Sequence, residues 1–337
     1  MIFIPSNLIF LIVIVVSSLL SVSASTWLGA WLGLEINLMR VIPLLIGGGL
    51  SLVECTIKYF LVQALSSLLF LVSVLNLGLV GNILIFNLDT VLNILVGVAL
   101  LIKLGGAPFF QWFPSVVSGL SWASGYLVIT WQKLAPLILL GYIITLNWPY
   151  ILVIILSRYV GRTGGLNHTS LRRLISYSSI NHLAWIILAL NFSYYYILLY
   201  FFIYCVTRGI LVYILNYSGY YYISQLFYSG QGGLSQLVIF INWLSFGGLP
   251  PFIGFLPKWV IINLSVTAGF NFIIIAMVIF GLWSMYYYIR MSYVVFMMSG
   301  CRLLHTPTNY FTNWSILFIS ILTLISLLLA PLGLALY

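Results

Sequence analysis

The sequence has 337 residues, of which 63% are hydrophobic and 4% charged, and its net charge of +9 comes from 12 Lys and Arg against 3 Asp and Glu. Soluble domains carry charge on about a quarter of their residues, so this composition excludes a water-soluble surface and predicts a protein embedded in a bilayer. On so apolar a chain the basic excess indicates orientation in the membrane rather than binding of nucleic acid.

Transmembrane segments follow one another along the whole chain. At about 20 apolar residues per span, the sequence predicts an all-α membrane protein with about eleven transmembrane helices. Residues 1–10 contain no Lys or Arg, so the first segment is interpreted as a transmembrane helix rather than a cleaved signal peptide. The predicted limits are 4–24, 26–46, 52–75, 89–113, 117–146, 149–160, 169–190, 194–218, 232–263, 269–296 and 312–335.

The connections between these helices differ in charge. Eight of the 12 Lys and Arg lie in or beside the connections after even-numbered helices, whereas the opposite connections contain none. By the positive-inside rule, the N-terminus and the basic connections lie inside and the C-terminus lies outside. The basic residues of this side are Arg40, Lys58, Arg158, Arg162, Arg172, Arg173, Arg290 and Arg302.

Two predicted helices, the fourth and the ninth, are interrupted by the same short pattern. Each has GG-x-P in mid-span with a lysine nearby, and the second lies five helices further along the chain than the first, an odd number, so the two run in opposite directions. Broken helices in inverted repeats are typical of transporter cores. We therefore expect one polytopic domain over 1–337, with a first repeat of about 1–146, a second of about 149–296 and a C-terminal helix of about 312–335. The residues of the two breaks are Gly105, Gly106, Pro108, Gly247, Gly248, Pro250 and Pro251.

Four ionisable residues lie deep within predicted spans: Glu35, Lys103, Lys133 and Lys258. A charge at the bilayer centre costs at least about 2.5–3.5 kcal/mol, so such residues usually face a polar interior. A helix break supplies backbone carbonyls and room for water, which favour a cation. At about 8 Å and an effective dielectric of about 20, neighbouring charges interact by about 2 kcal/mol, enough for one proton to help expel the next. The alternative is that these charges only lock helices together.

An unperturbed histidine titrates near neutrality, so two interpretations of His182, in YSSINHLAW, stay open: a proton relay, or a hydrogen-bonded packing residue. Cys55, Cys205 and Cys301 show no metal or cluster spacing, and neither GxGxxG nor a Walker loop occurs. The sequence therefore predicts no metal and no cofactor bound by this chain.

Six stretches, in order and spacing, resemble the NADH dehydrogenase subunit 2 family of animal mitochondria. They are WLGAWLGLEINLM, KYFLVQALSS, LLIKLGGAPFFQWFP, WQKLAPLILL, GGLNHTSLRRLISYSSINHLAW and GGLPPFIGFLPKW. That family consists of antiporter-like subunits in the membrane arm of respiratory complex I, the proton-pumping NADH:ubiquinone reductase. The resemblance implies that Glu35 and Lys103 match the family's glutamate–lysine pair, Lys133 its central lysine and Lys258 the lysine of its second broken helix.

The same resemblance implies a place in the cell and a set of partners. The expected location is the mitochondrial inner membrane, with the basic loops and N-terminus in the matrix and the C-terminus in the intermembrane space. FMN, iron–sulfur clusters, NADH and ubiquinone would be bound by other subunits. The expected partners are other membrane-arm and accessory subunits and membrane lipids such as cardiolipin, and no nucleic acid.

Three other classes of function compete with a proton-translocating subunit. A stand-alone cation/proton antiporter shares the broken helices, but coupling-ion sites are usually built from carboxylates, and here one deep acid accompanies three deep lysines. A membrane-embedded enzyme would need a nucleophile or metal set that the sequence lacks. A structural scaffold explains the apolar composition but not lysines beside helix breaks.

Overall fold

The computed structural model describes residues 5–46, 49–80, 86–144, 148–227 and 233–297. Within these ranges the chain forms fourteen α-helices, some of them halves of an interrupted span. They are α1 (Pro5–Ser23), α2 (Trp27–Leu45), α3 (Leu50–Val80), α4 (Phe86–Leu104), α5 (Trp112–Gly119), α6 (Trp122–Ile129), α7 (Trp131–Gly141), α8 (Trp148–Leu166), α9 (Leu171–Leu190), α10 (Tyr194–Ser218), α11 (Ile223–Phe227), α12 (Gly233–Gly247), α13 (Phe255–Thr267) and α14 (Asn271–Met297).

Five helical segments among the described residues are long and apolar enough to cross a membrane. They are Trp27–Leu45, Leu50–Leu79, Trp122–Gly141, Tyr194–Ser218 and Asn271–Tyr293. Shorter apolar helices, such as Thr90–Leu104, Gln236–Gly247 and Phe255–Thr267, lie beside the interruptions. Many large apolar side chains on the outer faces of α1 and α3 are exposed, as expected for a surface that contacts lipid.

The chain divides into two compact units, residues 1–153 and 154–337. In the first unit, α1 packs against α2, α3 packs against α2, α4 and α5, and α7 contacts α1, α4 and α6. The central α7 buries Lys133 together with Ala135, Pro136 and Leu137. Side-chain caps begin two of the helices: Thr26 accepts from the Gly29 amide at α2, and Ser121 accepts from the Ser124 amide at α6.

In the second unit, α9 is the most deeply buried helix. Every side chain from Ser178 to Leu190 is buried, so the polar side chains of Ser178, Ser179, Asn181 and His182 are enclosed by protein. It packs against α10 and α13, while α12 packs against α10 and α14. The helix α10 ends at Gly219, whose φ of +68° gives the left-handed cap that glycine adopts without strain.

Several helix limits differ from those predicted. The sixth predicted helix, 149–160, continues past the pair Gly164–Gly165 to Leu166 as α8, and Gly164 lies directly against the ring of Tyr177. The span predicted over 117–146 consists of α6 and α7, joined at Thr130. The short helix α11 lies in a segment predicted as a connection, and the helix predicted over 312–335 lies outside the described residues.

Candidate functional site

The first helix break separates α4 from α5. The α4 helix ends at Leu104, Gly105 has a φ of +66°, and α5 begins at Trp112. The Gly105 and Gly106 amides donate back to the carbonyls of Ile102 and Leu101, both at 3.1 Å. This local turn ends the helix sharply, as a left-handed glycine after a helix commonly does. The Ala107–Pro108 peptide bond is cis.

Two polar side chains complete the end of α4. The indole Nε1 of Trp112 donates to the Ile102 carbonyl at 3.2 Å, and the Gln63 amide donates to the Lys103 carbonyl at 3.2 Å. Carbonyls freed at a helix end need partners where water is scarce. Gln63 and Trp112 supply these partners, so hydrogen bonds from other helices of the unit stabilise the interrupted backbone.

The three predicted charges of the first unit lie around this break. Lys103 is 7% exposed and interacts electrostatically with Glu35. Glu35 is half-buried and its Oε1 accepts a hydrogen bond of 3.0 Å from the Ser67 hydroxyl. Lys133 is 4% exposed, and its Nζ lies 4.1 Å from the centre of the Phe113 ring on the far side of the break. One acid and two lysines therefore surround a single interruption.

Beside Lys133 runs a chain of neutral polar side chains that was not predicted from the sequence. Gln132 donates from Nε2 to Asn37 Oδ1 at 3.1 Å, and its Oε1 lies 3.5 Å from the Tyr59 hydroxyl. Asn37 is two residues from Glu35 on α2. The signal in the sequence was an amide in mid-span on each of two helices, α2 and α7, which is costly in a bilayer unless the amides find partners.

The second break separates α12 from α13. The α12 helix ends at Gly247, Gly248 has a φ of +83°, and α13 begins at Phe255. The half-buried Lys258, in the first turn of α13, donates from Nζ to the carbonyls of Phe246 at 2.7 Å and Gly247 at 2.8 Å. The amine thus occupies the negative end of the α12 dipole. At this break the lysine itself satisfies the freed carbonyls, whereas at the first break Gln63 and Trp112 do so.

His182 lies in the second unit, on α9, and is 6% exposed. Its Nδ1 shares a hydrogen bond of 2.8 Å with the Tyr200 hydroxyl. The rings of Tyr204 and Phe246 lie 5.6 Å and 6.1 Å from the imidazole. Phe246 is also the residue whose carbonyl accepts from Lys258, so the histidine and the lysine approach the same end of α12.

Two arginines belong to this cluster, and neither was predicted to lie there from the sequence. Arg158, assigned to a basic connection, is 1% exposed inside α8, and Arg208 is fully buried on α10. Arg158 donates to Asn181 Oδ1 and to the Met277 carbonyl, while Arg208 donates to Ser178 Oγ at 2.6 Å. The assignment of Arg158 was wrong because it relied on the predicted end of the sixth helix.

Metal-ligating and thiol side chains are scattered over the part of the chain that the structure describes. There, no group of three or more His, Cys, Asp or Glu side chains is arranged to hold a metal ion. Among the described residues, neither Cys55 nor Cys205 forms a disulfide bond, and Cys301 lies outside the described residues. The chemistry that the two clusters can perform is proton binding and release at lysine, histidine and carboxylate groups.

Comparison with known proteins gives consistent results. The family model described as NADH:quinone oxidoreductase/Mrp antiporter, transmembrane, matches residues 24–284. The NADH-ubiquinone oxidoreductase chain 2 of Anopheles gambiae is 40% identical over 311 residues, 91% of each chain. The chain of that name from Aedes aegypti is 38% identical over 326 residues, 96% of this chain and 95% of the relative.

Among solved structures, a chain of respiratory complex I from Thermus thermophilus with bound aureothin has a similar fold. The TM-score is 0.82 at 24% identity, covering 96% of this chain and 77% of that chain. At this level of identity the likeness concerns the fold alone.

Proposed function

This chain belongs to the NADH:quinone oxidoreductase/Mrp antiporter transmembrane family, and from that premise we propose that it is a core membrane-arm subunit of proton-pumping NADH:ubiquinone oxidoreductase. It contributes a proton-translocation channel that is coupled to electron transfer from NADH to ubiquinone. The observation that carries the proposal is the similarity to NADH-ubiquinone oxidoreductase chain 2 over 91% of both chains. The lysines beside the helix breaks, buried at the first break and half-buried at the second, supply the chemistry.

The proposed architecture is about eleven transmembrane helices, with two inverted repeats that each contain one broken helix. The two breaks support this proposal because they share one arrangement. In each, a left-handed glycine directly follows the end of a helix, and proline and a second helix come after it. The repeats comprise about residues 1–146 and 149–296, within a single polytopic domain.

The proposed proton path joins Glu35, Lys103, Lys133 and Lys258 in a lateral direction at mid-membrane. In the first half, Glu35 stabilises the protonated form of Lys103, and a weaker contact between them lets the proton move toward or from Lys133. A carboxylate about 8 Å from an ammonium contributes about 2 kcal/mol at an effective dielectric of about 20. Electron transfer elsewhere in the assembly supplies the drive by changing the charge at one end of the path.

His182 is proposed to take part in the second half of the path. Its hydrogen bond to Tyr200 holds the ring, and its position beside Phe246 brings it close to the residue that binds Lys258. A neutral imidazole can accept a proton at one nitrogen while it donates one from the other, which suits it to a relay. The competing role, a packing histidine, uses the same contacts and differs only in whether the ring changes its charge.

In this proposal the chain carries no redox site. FMN, iron–sulfur clusters, NADH and ubiquinone are bound by other subunits, and this chain acts in catalysis only as a subunit of the assembly. Its partners are other membrane-arm and accessory subunits and membrane lipids such as cardiolipin, with no nucleic acid. It resides in the mitochondrial inner membrane, with the basic loops and N-terminus in the matrix and the C-terminus in the intermembrane space.

Native electrophoresis of gently solubilised mitochondrial membranes tests the proposal. The gel is stained for NADH oxidation, and the chain is identified by peptide mass spectrometry in each band. We expect it in a very large band that oxidises NADH. Recovery of the chain only in a small oligomer that does not oxidise NADH would instead identify a stand-alone cation/proton antiporter.

A further inference from the structure

The second unit contains buried cations but no acid. The three acidic residues of the chain are Glu35, Glu54 and Asp89, so residues 154–337 contain no Asp or Glu. Within this unit Arg158, Arg162 and Arg208 are buried, and two of them, Arg158 and Arg208, interact electrostatically with Lys258. Buried charges are normally paired, because an unpaired charge in a medium of low dielectric is costly. The permanently charged guanidinium groups of Arg158 and Arg208 therefore have no carboxylate partner from their own unit.

Neutral groups hold both arginines in place. Gly161 lets α8 approach α9 closely, since a Cβ at Gly161 would lie 2.8 Å from the backbone nitrogen of Asn181. Arg158 uses this approach to bind Asn181 Oδ1, and its Nη2 donates to the Met277 carbonyl at 2.8 Å. Neutral partners fix the position of a guanidinium but leave its charge in place. The positive field of Arg158 is therefore not cancelled locally.

Arg208 lies next to the residue that binds the lysine. Its guanidinium carbon is 4.0 Å from the centre of the Phe246 ring, and the carbonyl of the same Phe246 accepts the Lys258 amine. Both arginines interact electrostatically with Lys258. The helices packed around the cluster carry no acidic side chain. Their titratable groups at the cluster are His182 on α9, Tyr200 and Tyr204 on α10, and Tyr287 and Tyr288 on α14, while α12 contains no ionisable residue.

We propose that Arg158 and Arg208 are positioning residues that create a fixed positive field at Lys258, so that this lysine gives up its proton more readily than Lys103. The contrast with the first unit carries the inference, since Glu35 there stabilises a protonated lysine, whereas like charges in the second unit repel one. The inference rests on the proposed function and gives the two halves opposite tasks. The first half holds protons, and the second releases them from Lys258 Nζ to water in the path.

Asn181→Asp is the sharpest test, because it adds one negative charge beside Arg158 with almost no change of shape. The carboxylate keeps the hydrogen bond from the guanidinium and strengthens it, so the variant should assemble. Added negative charge favours the protonated lysine, which then persists to higher pH. In the reconstituted complex, the alkaline limb of proton pumping against pH should move upward, by about one pH unit if the added charge acts as a typical neighbouring charge does.

Asn191→Asp is the matched control. It adds the same charge to the end of the same helix ten residues away, about 15 Å along the axis, and should leave the limb in place. Arg208→Gln removes one of the positive charges and should also shift the alkaline limb upward. Arg208→Lys keeps the charge, so its alkaline limb should lie where it does in the unmodified complex. An unchanged alkaline limb in an assembled Asn181→Asp complex that pumps would overturn the inference.

The failure of this inference can be told apart from failure of the proposed function. Lys258→Gln addresses the function by itself. If that variant pumps normally, Lys258 is not on the path and both proposals are wrong at this residue. If it stops pumping while Asn181→Asp leaves the pH profile unchanged, the path stands and only the field of the arginines is disproved.

Discussion

The amine of Lys258 donates a hydrogen bond of 2.7 Å to the carbonyl of Phe246, at the end of α12. A second bond of 2.8 Å goes to the Gly247 carbonyl. A lysine in the first turn of one half-helix thus satisfies the last carbonyls of the other half. Charge and helix break stabilise each other, because the break supplies acceptors for the cation and the cation supplies donors for the break.

Lys258→Gln should assemble and lose proton pumping. Glutamine is shorter and neutral, so one or both carbonyls lose their donor at a cost of about 1–3 kcal/mol, and no proton can be carried at this position. Proton uptake per NADH oxidised, measured in vesicles containing the purified complex, should fall. Lys58→Gln, which removes an exposed lysine of α3, should leave that ratio unchanged. A normal proton uptake per NADH in both variants would show that Lys258 does not carry protons.

Gly248→Ala should disturb the same contact through the backbone. Gly248 has a φ of +83°, and a Cβ there would lie 2.8 Å from Lys258 Nζ. The left-handed conformation costs alanine about 1–2 kcal/mol, and the methyl group also displaces the amine. Gly219→Ala separates the two effects, because Gly219 has a φ of +68° and a Cβ added there would meet no atom within 4 Å.

Both glycine variants should therefore lose similar thermal stability, but only Gly248→Ala should lose pumping. Equal pumping losses in the two variants would show that backbone strain, and not the position of the lysine, limits activity. The midpoint of thermal inactivation of NADH:ubiquinone activity and the proton uptake per NADH are the two quantities to compare.

Glu35→Gln should slow proton transfer without disturbing assembly. Glutamine keeps an oxygen that accepts from the Ser67 hydroxyl, which now binds Glu35 Oε1 at 3.0 Å. The lost attraction for protonated Lys103, about 2 kcal/mol, corresponds to roughly a thirtyfold change in the proton affinity of that lysine. Glu54→Gln, at an exposed position of α3, is the control. Pumping rates that are equal in the two variants would exclude Glu35 as the partner of Lys103.

The sequence predicted best those features that depend on a few neighbouring residues. The two GG-x-P segments coincide with the ends of α4 and α12, because a left-handed glycine and a proline stop a helix wherever it packs. The helix predicted over 194–218 matches α10, since its apolar run is long and bounded by polar residues. These features need no information about other helices.

Features that depend on contacts between distant parts of the chain were not predictable. Gln63 reaches the Lys103 carbonyl from a different helix, and Arg158 is buried because Gly161 lets α8 approach α9. Composition alone assigns an arginine near a predicted helix end to the membrane surface. The sequence therefore located the lysines beside the helix breaks but not the neutral and cationic groups that surround them.

The central claim is that Lys103 and Lys133 carry protons, and it is tested most directly by Lys103→Ala and, separately, Lys133→Ala in the reconstituted complex. NADH oxidation and proton uptake are measured together in the same vesicles. We expect each variant to assemble and lose pumping, with or without slower electron transfer. Normal proton-to-electron ratios in both variants would show that these lysines only hold helices together, and would contradict the proposed path.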